Sequence, residues 1–244
     1  MAEPQVPSLT YSSYLALDEV LSAQRPRSGE HDELLFIVIH QVYELWFKQL
    51  LHELGRLQQL LIDGDATGAL HTLKRILTIL KTVVAQVDIL ETMTPLQFSG
   101  FRGRLESASG FQSAQFRELE AVLGRRDPGV LEHHPPGAAR DRIARAMSAP
   151  SLYETFLAFA SADTGDADRQ LLAVYRSDPI RAMVCERMVD LDEGLQEWRY
   201  RHVKMVERTL GARSGTGGSA GAAYLRGTLF HPVFPALWSI RDRF

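Results

Sequence analysis

The chain has a single cysteine, Cys185. An internal disulfide is therefore impossible, and a cysteine-rich zinc site is ruled out. No stretch sustains the strict alternation of apolar and polar residues, rich in β-branched side chains, that marks a half-buried strand. The apolar run Leu34 to Ile39 is too short to cross a bilayer. The opening MAEPQVPSLTYSSYL lacks a basic stretch followed by an apolar one, so no signal peptide is expected. Positive charge is not in excess: 27 Lys and Arg against 30 Asp and Glu leave a net charge of −3. Such a chain has no electrostatic reason to bind nucleic acid or an anionic membrane surface. The compact patterns HExxH and GxxxxGK[ST] are missing as well, which argues against a zinc protease and a nucleotide P-loop. The expectation is a cytoplasmic protein in a reducing compartment, with no nucleic-acid or membrane partner.

What is abundant is apolar residue at helical spacing. Hydrophobic residues make up 45% of the 244, enough for one sizeable core, and no boundary divides residues 1–244 into two domains. Residues 1–32 are polar and proline-dotted, with an apolar-aromatic patch at Tyr11, Tyr14, Leu15 and Leu17. A long helix is predicted from near Asp32 to about Leu61, with the stripe Phe36, His40, Tyr43, Phe47, Leu50, Leu54, Leu57 and Leu61. A second stripe runs from Leu73 to Leu90 and ends before Thr94-Pro95. Residues 95–110 read as irregular, and 111–123 as helical. The segment RRDPGVLEHHPPGAARD reads as a loop, and 140–162 and 167–176 as shorter helices. Asp178-Pro179 opens another long helix, to about Leu210. Its stripe is Val184, Met188, Leu191, Leu195, Trp198, His202, Met205 and Thr209. The fold class predicted is an all-α bundle.

Two of the eight histidines, His40 and His202, fall on these apolar stripes. The other six, His31, His52, His71, His133, His134 and His231, read as solvent-facing or loop-borne. A buried imidazole needs a partner for its ring nitrogens. Heme iron is one such partner, and a helical bundle can hold a flat macrocycle. A backbone carbonyl or neighbouring side chain serves equally well, and spacing alone leaves that choice open. Arg102, among glycines and phenylalanines, could grip a carboxylate with two prongs or lie on the surface. The loop Gly215-Thr216-Gly217-Gly218-Ser219 could bring backbone amides to a ligand or serve as a linker. Tyr11, Tyr14, Phe36 and Phe98 could form an aromatic pocket or belong to the core.

Five blocks of sequence go further. LTYSSYLALDEVLSAQ, HDELLFIVIHQVYELWFKQLLHEL, ETMTPLQFSGFRGRLESASGFQSAQFRELE, WRYRHVKMVERTLG and GTGGSAGAAYLR together resemble the tryptophan 2,3-dioxygenase family, in the family's order, across residues 9 to 226. The resemblance implies a helical enzyme with a b-type heme, usually a homotetramer built as a dimer of dimers. By position, His202 in RHVKMV is similar to the proximal ligand of the heme iron, and Trp198 to a residue of the proximal side. His40 in FIVIHQ resembles the distal histidine that meets the indole N–H, with Phe36 one turn before it. Arg102 in FSGFR matches the arginine that binds the substrate carboxylate, and Thr216 in GTGGS the threonine at the amino-acid end. Phe98 would pack on the indole, at a position where some bacterial members carry tyrosine. Ser109 and Gly110 match positions lining heme and substrate. Tyr11, Tyr14 and Leu15 match an N-terminal segment that enters a neighbouring subunit's pocket. The chain is shorter than most members, with compact connections between about 124 and 178.

The activity implied is cleavage of the indole C2–C3 bond of L-tryptophan by O2, giving N-formylkynurenine. Three alternatives remain, the blandest being a helical scaffold with buried histidines. A heme monooxygenase of the same superfamily would stop at a 2-oxindole of tryptophan or a methyltryptophan. A non-catalytic heme carrier would need no Arg102, Thr216 and His40.

Overall fold

The computed structural model describes residues 8–106, 108–161, 165–211, 213 and 222–244. Among them no strand occurs, and the architecture is all-α as predicted. After two short helices, α1 (Tyr11–Leu15) and α2 (Leu17–Leu21), come the long α3 (His31–Ile62) and α4 (Ala66–Leu90). Next are α5 (Pro95–Arg102), α6 (Ala114–Leu123), α7 (Ala138–Ser148), α8 (Leu152–Phe159) and α9 (Ala167–Ser177). The long α10 (Pro179–Leu210) and the short α11 (Ala222–Arg226) and α12 (Pro235–Ser239) complete the fold.

Local chemistry sets the ends of these helices. Gly64, at φ 74°, makes the left-handed turn between α3 and α4 that a side chain would strain. The Asp65 carboxylate then caps α4 by accepting from the Gly68 amide. Asp178 caps α10 in the same way through the Arg181 amide, and Pro179 stands at the first helical position.

Three long helices fix where the site lies. The Tyr43 hydroxyl donates to the Val83 carbonyl and Arg75 donates to Glu53, so α3 and α4 run antiparallel. Gly194 lies against Leu80, and Arg201 pairs with Asp88 and Glu91, so α10 runs parallel to α4. A Cβ at Gly194 would come within 2.7 Å of Leu80 Cδ2, so the absent side chain is what lets these helices approach. The start of α3, the end of α4 and the second half of α10 therefore meet at one end of the bundle. The opposite half is core: Leu54, Leu57 and Leu61 pack with Leu73, Ile76, Phe156, Val184, Met188 and Phe234. Each such side chain, once buried, contributes roughly 1.5–3 kcal/mol. A smaller cluster, Ile39, Leu90, Met93, Phe98 and Phe101, borders the meeting end. By length and composition α3 could cross a membrane. Its stripe from Phe47 to Leu61 is instead part of the core.

Two sequence expectations are corrected. Residues 95–110 are not all irregular, because α5 forms there. Thr94 and Gln97 make a reciprocal capping box, with Pro95 at the first helical position. The loop predicted from Arg125 to Asp141 contains a 3-10 helix, Pro128–His133, and the first turn of α7. His134 is loop-borne, as one of the two expected settings, yet it is only 5% exposed, and its Nε2 has no hydrogen-bond partner among the described residues.

One buried carboxylate gathers four donors at the start of the C-terminal segment. Asp192, fully buried on α10, accepts from the Val233 and Phe234 amides at 2.9 Å, from Trp238 Nε1 at 3.0 Å and from Gln196 at 3.0 Å. Asp192→Ala leaves those donors without an acceptor. A loss of about 3 kcal/mol is expected, as for buried hydrogen bonds to a charged group. A thermal melt followed by circular dichroism should then move down by roughly 6–12 °C. A shift under about 2 °C would show that the clamp adds little.

Candidate functional site

A cavity opens at the meeting end of the three long helices. From α3 it takes Phe36, His40, Tyr43, Glu44 and Phe47; from α4, Val87 and Leu90. Phe98 of α5, Ser109, Gly110 and Phe111 form another wall, followed by Phe116, Arg117 and Glu120 of α6. The wall from α10 holds Trp198, Arg199, His202, Val203 and Met205. The apolar stripes of α3 and α10 thus have two uses. Their inner halves fill the core, and their outer halves line this cavity.

Both stripe histidines face the cavity, and both are neutral at pH 7. Burial lowers the pKa of His40 below 6.5, with only partial opposition from the Phe36 carbonyl and Glu44. His40 Nδ1 lies 2.7 Å from the Phe36 carbonyl. A carbonyl can only accept, so Nδ1 carries the proton and Nε2 presents a lone pair. His202 is pushed down to about 4, mainly by burial and then by the nearby His40 and Arg117. No hydrogen bond to its ring is found among the described residues. Its ring lies nearly parallel to that of Trp198, at 13° and 5.6 Å between centroids. A neutral, unpartnered imidazole in an apolar cavity has the donor chemistry that heme iron takes.

Aromatic rings surround His40. Phe36 lies tilted against it at 4.1 Å between centroids and meets Phe98 at 5.8 Å and Phe101 at 5.5 Å. On the α10 side Trp198 packs against Phe116 at 5.0 Å and Phe47 at 6.1 Å. Tilted and edge contacts of this kind fit a slot for flat ring systems.

Seven of the residues singled out from the sequence converge here: Phe36, His40, Phe98, Ser109, Gly110, Trp198 and His202. Arg102 does not line this cavity. It sits at the end of α5, half-buried, in an open neighbouring pocket with Ser99, Gly103, Glu106 and Arg213. It is one turn beyond Phe98. Tyr11, Tyr14 and Leu15 are exposed on α1, the tyrosines at 76% and 71%, and none lines the cavity of this chain. Thr216 lies outside the described residues.

Sequence reasoning missed Tyr43, Glu44, Arg117, Glu120 and Arg199 as cavity residues. Tyr43 stood on the α3 stripe and could have been found there. Arg117 and Glu120, three apart, and Arg199, next to Trp198, carry charge at inward helical positions, a pattern that itself calls for partners.

Comparison with known proteins bears on this geometry. A family model described as tryptophan 2,3-dioxygenase matches residues 3–134 and 163–243. A tryptophan 2,3-dioxygenase of Anaeromyxobacter sp. (strain K) is 63% identical, over 99% of this chain and 99% of its own length. One of Herpetosiphon aurantiacus is 56% identical, over 96% of this chain and 98% of its own length. One of Pseudomonas fluorescens is 38% identical, over 96% of this chain and 91% of its own length.

Proposed function

The chain belongs to the tryptophan 2,3-dioxygenase family, and from that premise we propose that its cavity holds a b-type heme and L-tryptophan together. The reaction is oxidative cleavage of the indole C2–C3 bond by O2. Both oxygen atoms enter the product, N-formylkynurenine. The observation that carries this reading is the pair of neutral histidines, on α3 and α10, facing one aromatic cavity. The single-oxygen alternative is not favoured, because relatives at 56% and 63% identity bear the dioxygenase name.

A bound heme would supply the activation of O2, and His202 would hold its iron. The protein's residues do the rest. Trp198 holds the His202 ring in a parallel stack. Phe36 and Phe98 present ring faces and edges to the indole and keep water from it, with Phe101 packed behind them. His40 accepts the indole N–H at Nε2 while its own proton stays on Nδ1, held by the Phe36 carbonyl. It orients the ring and need not remove a proton, since burial keeps it a weak base. Arg102 takes the substrate carboxylate and Thr216 the amino-acid end; fixing both ends of the substrate sets the C2–C3 bond in place. Ser109 and Gly110 line the wall beside both ligands.

A homotetramer fits the surface. Tyr11 and Tyr14 on α1 and Leu34, Val38 and Leu45 on α3 are apolar and exposed in the single chain. We infer that Tyr11, Tyr14 and Leu15 complete the pocket of a neighbouring subunit.

Two measurements test this reading. Adding L-tryptophan to ferrous, heme-loaded protein is expected to shift the Soret band and start O2 consumption. A mere carrier would show neither. The pH profile is the second. The accepting form of His40 is the neutral one, and its pKa is lowered below 6.5. The apparent KM for L-tryptophan is therefore expected to stay flat from neutral pH down through 6.5. It should rise only as pH falls through the lowered pKa. A KM already rising between pH 8 and 7 would contradict the role of His40.

A further inference from the structure

One wall of the cavity carries clustered charge. Glu120 Oε2 accepts from Arg117 Nη1 at 2.7 Å. Its Oε1 lies 3.5 Å from Arg199 Nη2 and 3.8 Å from Arg125 Nη1. Three guanidinium groups thus share one carboxylate. Arg117, Glu120 and Arg199 all line the cavity. Arg199 is only 7% exposed, and its Nη1 has no hydrogen-bond partner among the described residues; neither has Arg125 Nη1. Leaving a guanidinium nitrogen unpaired in the interior is costly. A planar guanidinium pairs with a carboxylate in two-pronged geometry. Arg117 is already engaged, through Glu120 and the face of Phe111 at 4.5 Å. Of the two with an unpaired nitrogen, Arg199 is the one that lines the cavity.

Two ligands in the proposed reaction carry carboxylates: the heme, through its propionates, and L-tryptophan. Position separates them. Arg199 follows Trp198 on α10 and lies one turn before His202, on the side of the iron ligand. The aromatic slot and Arg102 belong to α3 and α5. We propose that Arg199, supported by Arg117 and Arg125, anchors a heme propionate, and that Glu120 positions the three guanidinium groups for it. This rests on the heme reading given above.

The test uses the full-length chain freed of heme. It is titrated with ferric heme and with the dimethyl ester of the same heme, followed by Soret absorbance and tryptophan fluorescence. The unmodified protein is expected to bind the free acid about tenfold or more tighter than the ester, the value of one charge-assisted hydrogen bond. Arg199→Met should largely remove that preference, and Arg199→Lys should retain part of it. Equal binding of acid and ester by the unmodified protein would overturn the assignment while leaving heme binding intact. So would a folded Arg199→Met that keeps the full preference. If Arg199→Met does not fold, the ester comparison and the lysine variant decide. If Arg199→Met keeps the preference but weakens L-tryptophan, the carboxylate bound is the substrate's and the assignment fails. If neither porphyrin binds, the heme reading itself falls, and this assignment with it.

Discussion

His202→Ala is expected to abolish stable heme incorporation and, with it, turnover. An imidazole held at a pKa of about 4 keeps its lone pair free throughout the neutral range. The side chain is half-buried, makes no hydrogen bond among the described residues and faces the cavity, so a metal is a partner that suits its chemistry. Loss of groups that merely support a metal ligand costs 10–100-fold in metal affinity. Loss of the ligand itself is therefore expected to cost at least about 100-fold in heme affinity. Pyridine hemochrome analysis of the purified variant gives the occupancy, and the ferrous optical spectrum reports the axial ligand. Added imidazole should partly restore both. The fold should survive, since His202 borders a cavity and the main core lies at the other end of the bundle. Full heme retention with an unchanged axial-ligand spectrum would remove His202 from the iron.

Arg102→Ala is the second large effect. A substrate carboxylate drawn into an apolar site needs a cation, and removing that cation costs about 2–5 kcal/mol. In dissociation constants this is roughly 30-fold to several thousand-fold. Arg102 stands outside the wall of the main cavity, in the open pocket beside it, and one helical turn beyond Phe98. It can thus meet the amino-acid end of a substrate whose ring lies against Phe98. Tryptamine, which lacks the carboxylate, provides the control. Arg102→Ala should weaken L-tryptophan strongly and tryptamine little. An unchanged dissociation constant for L-tryptophan would remove Arg102 from the site.

Much of this was readable in the sequence, for reasons particular to certain residues. The bounds of α3 and α10 were visible because long stripes at three- and four-residue spacing leave no other periodicity, and because Asp178-Pro179 is an unambiguous start. His40 and His202 were visible as misfits on those stripes. The helix α5 was hidden by its glycine and proline content, although Thr94, Pro95 and Gln97 spelled out its cap. The cavity itself was not legible. It exists because α10 runs parallel to α4 and α3 antiparallel, a register set by contacts such as Gly194 on Leu80 and Arg201 on Asp88. The charged wall of Arg117, Glu120 and Arg199 was missed for the same reason: only tertiary packing brings α6 against α10. The burial of His134 likewise depends on how its loop packs, which local composition does not encode.

The central claim is that this cavity directs both atoms of O2 into the indole of L-tryptophan. Turnover of the ferrous, heme-loaded protein with L-tryptophan under 18O2, followed by mass spectrometry, tests it most directly. The expected product is N-formylkynurenine carrying two labelled oxygens. A product that carries a single labelled oxygen with the indole C2–C3 bond intact would contradict the account.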